Sequence, residues 1–539
     1  MRPKGFSAII GALSLVVSLA LPASAQTDTN SVLHLYLPGQ FSGCSASAGP
    51  NSPAFGALLD MIRPSAFLPN SIGRMVGVGG PIASAELVSL KPQTVVYTIN
   101  PKFHWSNGDG ISINDLLLRI QAAKTSSASW SDGFRHLVSI TEGAKHKTLR
   151  VVFDSHFADW PTMFRDLEHV KTPISCSLAD VLRRPALGPY LLEALSPNEA
   201  VLKVNPEWSN ATHMFQWVVV RAGTEATAIS SGTFVDYRYS FSTADMTASS
   251  TKTDRSAKLG SSARNLALVF SPTRSTTSNL AVRELLSTSI DRQSLINSLF
   301  GSLTYTLSPA SSNLISQGQF NYPGSSGLSP VTQMTTTTLP ASALATLTAT
   351  GDCLSCASAL LNSGLGLTTS NGRVLFHGTA LNIRLAVGPG EASLRAASII
   401  QSDWRALGIQ SYIITYRSDL EASQYVRGGD VDAAVITQTL GAAGINATSW
   451  SGRYRSDRVD AGWRSADVET AAILAESQFN PVDGMTYWNQ IDQIISKEFW
   501  QRPLTATPYY LRWSSRLNGL TPSVNLDGLT NEITLWTAS

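Results

Sequence analysis

An α/β fold with a partly parallel sheet is predicted for this chain of 539 residues. Strand-like and helix-like segments alternate over residues 381–436, and this order is typical of parallel strands joined by helices. The length suffices for two or three domains that each bury a core. With 43% apolar and 14% charged residues, the composition is that of a globular protein rather than of a nucleic-acid binder.

The N-terminus has the pattern of an export signal. Arg2 and Lys4 precede an apolar run, and Ala23 and Ala25 supply the small side chains of a cleavage site. We expect cleavage after Ala25, because the run is shorter than the about 20 residues of a membrane span; an uncleaved anchor is the alternative. Cleavage removes two basic and no acidic residues, so the formal charge falls from +2 to 0. No electrostatic attraction to nucleic acid or anionic lipid is expected.

Four cysteines in an exported chain predict disulfides, for which three sets of pairs are possible. We favour Cys44–Cys176 and Cys353–Cys356. The second pair is a C-x-x-C segment at the start of a predicted helix, where a redox-active thiol pair is the alternative. The sequence has no second C-x-x-C and no H-x-x-H, so neither a zinc site nor a cofactor is expected.

The first half of the chain begins with a predicted strand at residues 32–37, followed by a loop of small residues. Further strands are predicted at residues 94–99 and 149–153. Between them, Asn114 is the predicted N-cap of a helix that runs to residue 123, with Asp115 in its first turn.

The middle of the chain contains a predicted hairpin, whose strands follow Gly188 and end at Pro206. Residues 223–262 show weak periodicity, and a buried strand is predicted at residues 265–270. Apolar residues at helical spacing then predict a helix through residues 282–290 and a short one that ends at Gly301. The pair Asp291-Arg292 is expected to be structural, with a capping and bridging role between these two helices.

The alternating unit in the second half consists of strands at residues 381–387, 409–416 and 433–436 and helices at residues 392–407 and 420–426. Two amphipathic helices follow, and in the second of them Trp488, Ile491, Ile495 and Phe499 share one face. Residues 504–510 and the apolar tail are expected to return to the first domain.

Four of these segments resemble, in order, the extracytoplasmic solute-binding proteins of family 5, which are the oligopeptide- and dipeptide-binding components of ABC transporters. The segments are Trp105-Ser-Asn-Gly108 with Asp115, Gly188-Pro-Tyr190 with Asn205-Pro-Glu-Trp208, Val282-Arg283 with Asp291-Arg292, and the alternating unit. The resemblance implies a two-lobed fold like that of periplasmic binding proteins (type II, cluster C) with an extra small domain. Lobe I would comprise residues 26–60, 185–270 and 505–539, the extra domain II residues 61–184, and lobe III residues 271–504.

The same resemblance implies a monomer whose lobes close by a hinge around a peptide or other small solute, which an ABC permease in the membrane then receives. It implies a periplasmic or extracellular cell-surface location and no catalysis. The enzyme motifs G-x-S-x-G, H-E-x-x-H and G-x-x-x-x-G-K-[ST] are absent from the sequence. Two other classes stay open: a non-transport envelope-assembly or sensory protein with the same fold, and a secreted enzyme.

Candidate cleft residues follow from the predicted sheet, because ligands of open α/β sheets bind beyond the carboxyl ends of the strands. Gln438, Thr439 and Leu440 end a predicted buried strand and are candidates, together with the following loop up to Trp450. An ordinary loop with a packed tryptophan is the alternative for that segment.

Phe41, Ser42 and Asn51 are further candidates, by their position in the loop after the first strand. Peptide-binding relatives carry an Asp near the end of the strand at residues 433–436 that pairs with the ammonium group of the ligand. This sequence has no acidic residue from 433 to 456. A charged amino terminus would lose its expected partner here, and burying it unpaired is costly.

Overall fold

The structure is a computed structural model, and it describes residues 31–41, 52–63, 67–70, 75–77, 80–125, 132–145, 147–164, 167–169, 177–208, 211–223, 235–248, 255–322, 357–358, 360–361, 365–440, 462–479, 482–523 and 529–538. The export signal and all four cysteines lie outside these residues. Cleavage after Ala25 and both disulfides therefore stay predictions.

The strands of the described residues are β1 Val32–Pro38, β2 Phe67–Pro69, β3 Met75–Gly77, β4 Ile82–Leu90, β5 Gln93–Ile99, β6 Leu137–Glu142, β7 Thr148–Phe153, β8 Tyr190–Leu195, β9 Glu199–Val204, β10 Trp217–Gly223, β11 Tyr237–Ser240, β12 Arg255–Phe270, β13 Leu367–Ser370, β14 Arg373–Phe376, β15 Thr379–Ala380, β16 Asn382–Val387, β17 Gln410–Thr415, β18 Ala433–Thr439, β19 Gln501–Ser514, β20 Leu517–Asn518 and β21 Thr537–Ala538.

The α-helices of the same residues are α1 Pro53–Ile62, α2 Ile113–Thr125, α3 Asp132–Arg135, α4 Leu178–Arg183, α5 Thr243–Ala248, α6 Leu280–Thr288, α7 Arg292–Phe300, α8 Glu391–Ala406, α9 Asp419–Gly428, α10 Ala466–Glu476 and α11 Met485–Lys497. Short 3-10 helices lie at Trp160–Thr162, Ala211–His213 and Ile533–Leu535. No helix in the described part of the chain is long and apolar enough to span a membrane.

Within the described residues, one sheet of ten strands connects the two lobes, in the order β17-β16-β18-β12-β19-β11-β1-β10-β9-β8. β16 pairs in parallel with β17 and β18, and β1 pairs in parallel with β10 and β11. β18, β12, β19 and β11 pair with one another in antiparallel fashion. The predicted α/β class with a partly parallel sheet is confirmed.

Two large hydrophobic cores lie against this sheet. The first-lobe core includes Leu33, Phe55 and Val218, and the late residues Leu517 and Trp536 pack into it. The second-lobe core is built around α6, α7, α8 and the parallel strands β16 and β18. Because the end of the chain packs with its beginning, the first lobe is assembled from segments far apart in the sequence.

β12 and β19 form a long antiparallel pair, which we call the crossover ribbon. Residues 255–261 of β12 pair with residues 508–514 of β19, where β11 also pairs with β19. Residues 265–269 of β12 pair with residues 501–506 of β19. In this half, β18 pairs with the other edge of β12. The register shifts where the two halves meet, between Ser261 and Asn265. Each lobe is thus attached to its own end of the ribbon.

The sequence predicted β12 only at residues 265–270, and its first half was missed. Residues 256–263 include Ser256, Gly260, Ser261 and Ser262, whose small side chains give no hydrophobic alternation. Pairing with β19 supplies the backbone hydrogen bonds of this half, and such long-range pairing overrides the weak local preference.

A small domain is built on the four-stranded sheet β4-β5-β7-β6, and Trp105 is buried in its core. The predicted N-cap at Asn114 is wrong, because α2 begins at Ile113. The cause is Ser112, whose backbone N–H (2.8 Å) and hydroxyl (3.0 Å) both donate to the carboxylate of Asp115. The indole N–H of Trp105 donates to the same carboxylate at 3.4 Å, so this segment is a structural element.

The structural role predicted for Asp291-Arg292 is confirmed. Asp291 is the N-cap of α7 and accepts a hydrogen bond from the backbone N–H of Ser294 (2.9 Å). Arg292 is buried, and its guanidinium donates to the carbonyls of Ala310 and Pro503, at 2.8 Å each. It therefore fixes α7 to β19, and a bridge between the two helices stays a prediction.

A buried carboxylate holds the segment around Ser312 against α11. Asp492 accepts hydrogen bonds from the backbone N–H and the side-chain amide of Asn313, at 2.8 Å each, and from the hydroxyl of Ser312. Ser312 Oγ in turn accepts the backbone N–H groups of Leu314 (3.1 Å) and Ile315 (3.0 Å). Burial raises the pKa of Asp492 to about 6, although these hydrogen bonds act in the opposite direction.

Asp492→Asn is expected to alter how stability depends on pH. A carboxylate whose folded pKa is raised takes up its proton in the folded chain first, so its contribution to the free energy of unfolding grows as the pH falls through 6. The stability of wild type relative to that of Asp492→Asn should therefore rise by about 1 kcal/mol from pH 7.5 to pH 5.

Thermal unfolding across this pH range measures the effect. Asp430→Asn removes one exposed carboxylate and serves as the control for net charge. A difference between wild type and Asp492→Asn that stays constant over the range would contradict the expectation.

Candidate functional site

Two strands from opposite lobes end at the middle of the crossover ribbon. β11 of the first lobe ends at Ser240, opposite Tyr510 of β19. β18 of the second lobe ends at Thr439, opposite Arg264 of β12. Because ligands of open α/β sheets bind beyond the carboxyl ends of the strands, this junction is the candidate site.

The predicted residues at the end of β18 lie at this junction. Thr439 is exposed and Gln438 is half-buried, with its amide donating to the side chain of Gln501 (3.3 Å). Leu440 is buried, and its backbone N–H donates to the carbonyl of Ala263 in the ribbon (2.9 Å). Contact between these residues and a ligand stays a prediction.

Of the other predicted residues, Phe41 lies within the described part of the chain. Phe41 is buried in the first-lobe core, and its backbone N–H donates to the carbonyl of Pro197 (3.0 Å). Ser42, Asn51 and Trp450 lie outside the described residues. A role of these four residues in ligand binding stays a prediction.

A cation lies at the register shift of the ribbon. The guanidinium carbon of Arg264 is 4.2 Å from the ring centroid of Phe241, which follows β11. Arg264 is partly buried, and its backbone carbonyl accepts a hydrogen bond from the hydroxyl of Thr507 (3.2 Å). The strand that pairs with β18 thus places a cation on an aromatic ring at the end of β11, an arrangement that attracts the two electrostatically.

Two tyrosines stack beside this cation. The rings of Tyr239 and Tyr509 lie 5.0 Å apart and 9° from parallel, and both side chains are fully buried. Neither hydroxyl has a hydrogen-bond partner among the described residues. Burial raises the pKa of Tyr509 to about 12 and also raises the pKa of Tyr239, so both stay neutral. A buried hydroxyl without a partner is costly and calls for an explanation, such as a water or a ligand.

Hydroxyl groups also connect the ribbon to its surroundings. The hydroxyl of Ser261 lies 3.1 Å from that of Tyr305, and Ser262 donates to the carbonyl of Thr507 (2.8 Å). Ser316 donates to the carbonyl of Ser262 (2.6 Å). The middle of the ribbon is therefore held by polar contacts, whereas its two ends lie in apolar cores.

The acidic groups near the junction have arginine partners. Asp245 of α5 forms an ion pair with Arg238, and Glu391 at the start of α8 lies 3.8 Å from Arg395. The hydroxyl of Thr243 donates to Glu391 (3.2 Å), which connects the first lobe to the second. Among the described residues, each of these two carboxylates thus has an arginine nearby.

A second set of contacts joins the small domain to the second lobe. The backbone N–H of Ala158 donates to the carbonyl of Glu476 (2.8 Å), and the indole N–H of Trp160 donates to that of Phe479 (3.0 Å). The rings of His156 and Phe479 lie 4.1 Å apart. These contacts attach the small domain to the end of α10 and to the segment that follows it.

The described residues contain no group of three or more His, Cys, Asp or Glu side chains that could hold a metal ion. Sequence reasoning missed Arg264, Phe241, Tyr239 and Tyr509. A signal existed for two of them, because the aromatic residues at 237, 239 and 241 alternate as in a half-buried strand. The stacking of Tyr509 on Tyr239 depends on the β11–β19 pairing, which local sequence does not reveal.

The comparisons with known proteins agree with one another. The family model of bacterial extracellular solute-binding proteins, family 5, matches residues 79–457. The oligopeptide-binding protein OppA of Mycobacterium tuberculosis is 26% identical over 174 residues, and OppA of Mycobacterium bovis matches to the same extent. This match covers 30% of the present chain and 29% of the relative, so the chain aligns with under a third of that protein's length.

Solved structures of similar shape cover nearly the whole chain. The periplasmic EDTA-binding protein EppA has a TM-score of 0.79 at 19% identity, over 94% of this chain and 96% of its own. The oligopeptide-binding protein AppA of Bacillus subtilis, in complex with a nonapeptide, has a TM-score of 0.71 at 12% identity, over 94% and 99%. At these identities the likeness shows the fold, and the predicted two-lobed binding-protein fold is confirmed.

Gly260→Ala is expected to destabilise the ribbon. A Cβ at residue 260 would lie 2.8 Å from Cε1 and 3.0 Å from the hydroxyl of Tyr509, whose ring is fully buried and stacked on Tyr239. We expect a loss of about 1–3 kcal/mol in the free energy of unfolding, measured by urea titration.

Gly56→Ala in α1 is the matched control. A Cβ at residue 56 would meet no atom within 4 Å, so it should be neutral or stabilise the helix by about 0.5–1 kcal/mol. Equal stabilities of the two variants would show that Tyr509 does not pack against Gly260 as described.

Proposed function

Since the chain belongs to family 5 of the bacterial extracellular solute-binding proteins, we propose that it is the extracytoplasmic solute-binding component of an ABC importer. It captures peptides or a related small solute by hinge closure and delivers the solute to a permease in the membrane. Export with cleavage after Ala25 places it in the periplasm or at the extracellular cell surface. It acts as a monomer, without catalysis.

The observation that carries this proposal is the attachment of each lobe to its own end of the crossover ribbon. A bend in two strands would rotate one lobe against the other without disturbing either core. The register shift between Ser261 and Asn265 supplies the place for this bend, because a bulge leaves backbone groups locally unpaired. The proposed lobes are lobe I (residues 26–60, 185–270 and 505–539) and lobe III (residues 271–504), with domain II at residues 61–184.

The cleft of this proposal lies between the ends of β11 and β18. In this proposal Gln438, Thr439 and Leu440 contact the solute, and the further predicted contacts are Phe41, Ser42, Asn51 and Trp450. The similarity to oligopeptide-binding OppA and AppA favours peptides as solutes, and that to EDTA-binding EppA favours a small acid. A solute can drive closure only if it binds the closed form more tightly.

Solute capture is tested by native mass spectrometry of the exported chain, purified without denaturation. We expect adducts in the mass range of short peptides or small acids that are lost on acidification. Small-angle scattering should then show a smaller radius of gyration with solute than after its removal. A bare mass together with an unchanged radius of gyration in peptide and acid mixtures would instead favour the non-transport use of the fold.

Trp160→Phe is expected to weaken solute binding without touching the cleft. The variant keeps an aromatic ring but loses the indole N–H that donates to the carbonyl of Phe479. This hydrogen bond joins the small domain to the second lobe. In this proposal the contact forms only on closure, so the loss of one hydrogen bond of about 1 kcal/mol corresponds to about fivefold weaker affinity.

Isothermal titration with the solute identified by mass spectrometry measures this affinity. Trp208→Phe is the control, because Trp208 packs on Phe103 at the first-lobe side. If Trp160→Phe bound the solute as tightly as wild type, the hydrogen bond between Trp160 and Phe479 would not contribute to closure.

A further inference from the structure

We propose that residues 308–316 of the second lobe, which we call the polar brace, position the bend of the crossover ribbon and hold the two lobes in the described arrangement. This inference rests on the proposed function and identifies Ser316 as a positioning residue for hinge closure. The brace contacts the ribbon at its register shift, between Ser261 and Asn265, where the proposed hinge lies.

The register shift leaves extra residues on one strand of the ribbon. On β12, pairing with β19 stops after Ser261 and resumes at Asn265, whereas on β19 Thr507 alone lies between the paired residues. Residues 262–264 therefore form a bulge, which bends its strand and whose backbone groups are left out of the regular ladder. The direction of the bend thus depends on the groups that bind these three residues.

Two of the three carbonyls in this bulge are bound by the second lobe. The carbonyl of Ser262 accepts a hydrogen bond from the hydroxyl of Ser316 in the brace (2.6 Å). The carbonyl of Ala263 accepts one from the backbone N–H of Leu440, after the end of β18 (2.9 Å). Ser262 and Ser316 are fully buried, and a buried carbonyl that loses its donor is costly. The second lobe therefore favours the bend in which these bonds form.

The brace binds both strands of the ribbon beside the bulge. Ser316 Oγ also lies 2.9 Å from the side-chain oxygen of Asn265, whose amide donates to the carbonyl of Ser312 (3.3 Å). On the other strand, Thr505 of β19 forms a β-bridge with Pro309 of the brace. Because one segment contacts β12 and β19 together, a different bend of the ribbon would break several of these contacts.

The brace is itself fixed to helices of the second lobe. Leu314 and Ile315 are buried in a hydrophobic core formed with α10 and α11. The carboxylate of Asp492 in α11 accepts hydrogen bonds from Ser312 and Asn313. Buried hydrogen bonds have defined directions and select one alignment, which apolar packing alone specifies less strictly. The brace therefore presents its hydroxyl groups to the ribbon from a fixed position.

Three variants of the exported chain, studied without added solute, test the role of the brace. Ser316→Ala removes the hydroxyl that binds the bulge. Ser289→Ala is the matched control, because Ser289 is a buried serine of the same lobe whose hydroxyl donates to the carbonyl of Leu286 at the end of α6 (3.3 Å). Tyr305→Phe is a milder variant, which keeps the half-buried ring and loses the hydroxyl that lies 3.1 Å from that of Ser261.

Small-angle scattering measures the radius of gyration, and hydrogen exchange measures the protection of ribbon amides at residues 256–268 and 503–510. For Ser316→Ala we expect a larger radius of gyration, because lobes released from one bend take up a wider range of orientations. Ribbon amides should exchange about tenfold faster, the effect of about one buried hydrogen bond. Tyr305→Phe should change both quantities less and in the same direction, and Ser289→Ala should change neither.

A radius of gyration in Ser316→Ala equal to that of wild type overturns the inference, even if the ribbon exchanges faster, because a purely structural hydrogen bond would give that result. If Ser316→Ala does not fold, Tyr305→Phe decides by the same criterion. Neither measurement uses a solute, so this failure leaves solute capture standing. A bare native mass, in contrast, counts against solute capture and leaves the role of the brace in the lobe arrangement untouched.

Discussion

The backbone hydrogen bonds between β12 and β19 are the constraint on which the rest of this structure depends. Among the described strands, this pair extends from the first-lobe core into the second-lobe core. The orientation of both lobes therefore depends on one two-stranded ribbon. β11 pairs with β19 in one half of the ribbon, and β18 pairs with β12 in the other half. The carboxyl ends of strands from both lobes therefore converge at the ribbon's middle, and the position of the cleft follows from the topology rather than from any single side chain.

Local sequence predicted those parts of the fold that local physics controls. The unit from β16 to β18 was predicted because its apolar runs are long and its helices have strong periodicity. Gly408 also marks the end of α8, because its φ of 88° is a left-handed conformation that favours glycine after the last helical turn. The first half of β12 was not predicted, because Gly260 and its serine neighbours show no hydrophobic alternation. These residues make their contacts with β19, which is far away in the sequence. Gly260 leaves room for Tyr509, and Ser262 reaches the backbone of Thr507. Residues that serve long-range packing lack a local signature.

The candidate site divides in the same way. Gln438, Thr439 and Leu440 could be proposed from sequence, because a strand's carboxyl end is visible as the end of an apolar run. Arg264 and Phe241 could not, since their contact joins residues on strands that are neighbours only through β19. The absence of acidic residues after β18 was visible, and it gains meaning from the structure, where the carboxylates of Asp245 and Glu391 already have arginine partners. The lack of acidic residues in one segment therefore describes the charge of a site only when the charged side chains that other segments bring to it are also known.

The contact between Arg264 and Phe241 shows how the ribbon brings the ends of β11 and β18 together. Arg264 lies in β12 opposite Thr439, the last residue of β18, and its guanidinium lies on Phe241, which follows β11. A cation over an aromatic ring contributes about 0.5–1 kcal/mol in water and about 2 kcal/mol or more when water is excluded. A bend of the ribbon at its register shift would change the distance between these two side chains. A solute would shift the balance between the bent and unbent forms only through a difference in its affinity for them.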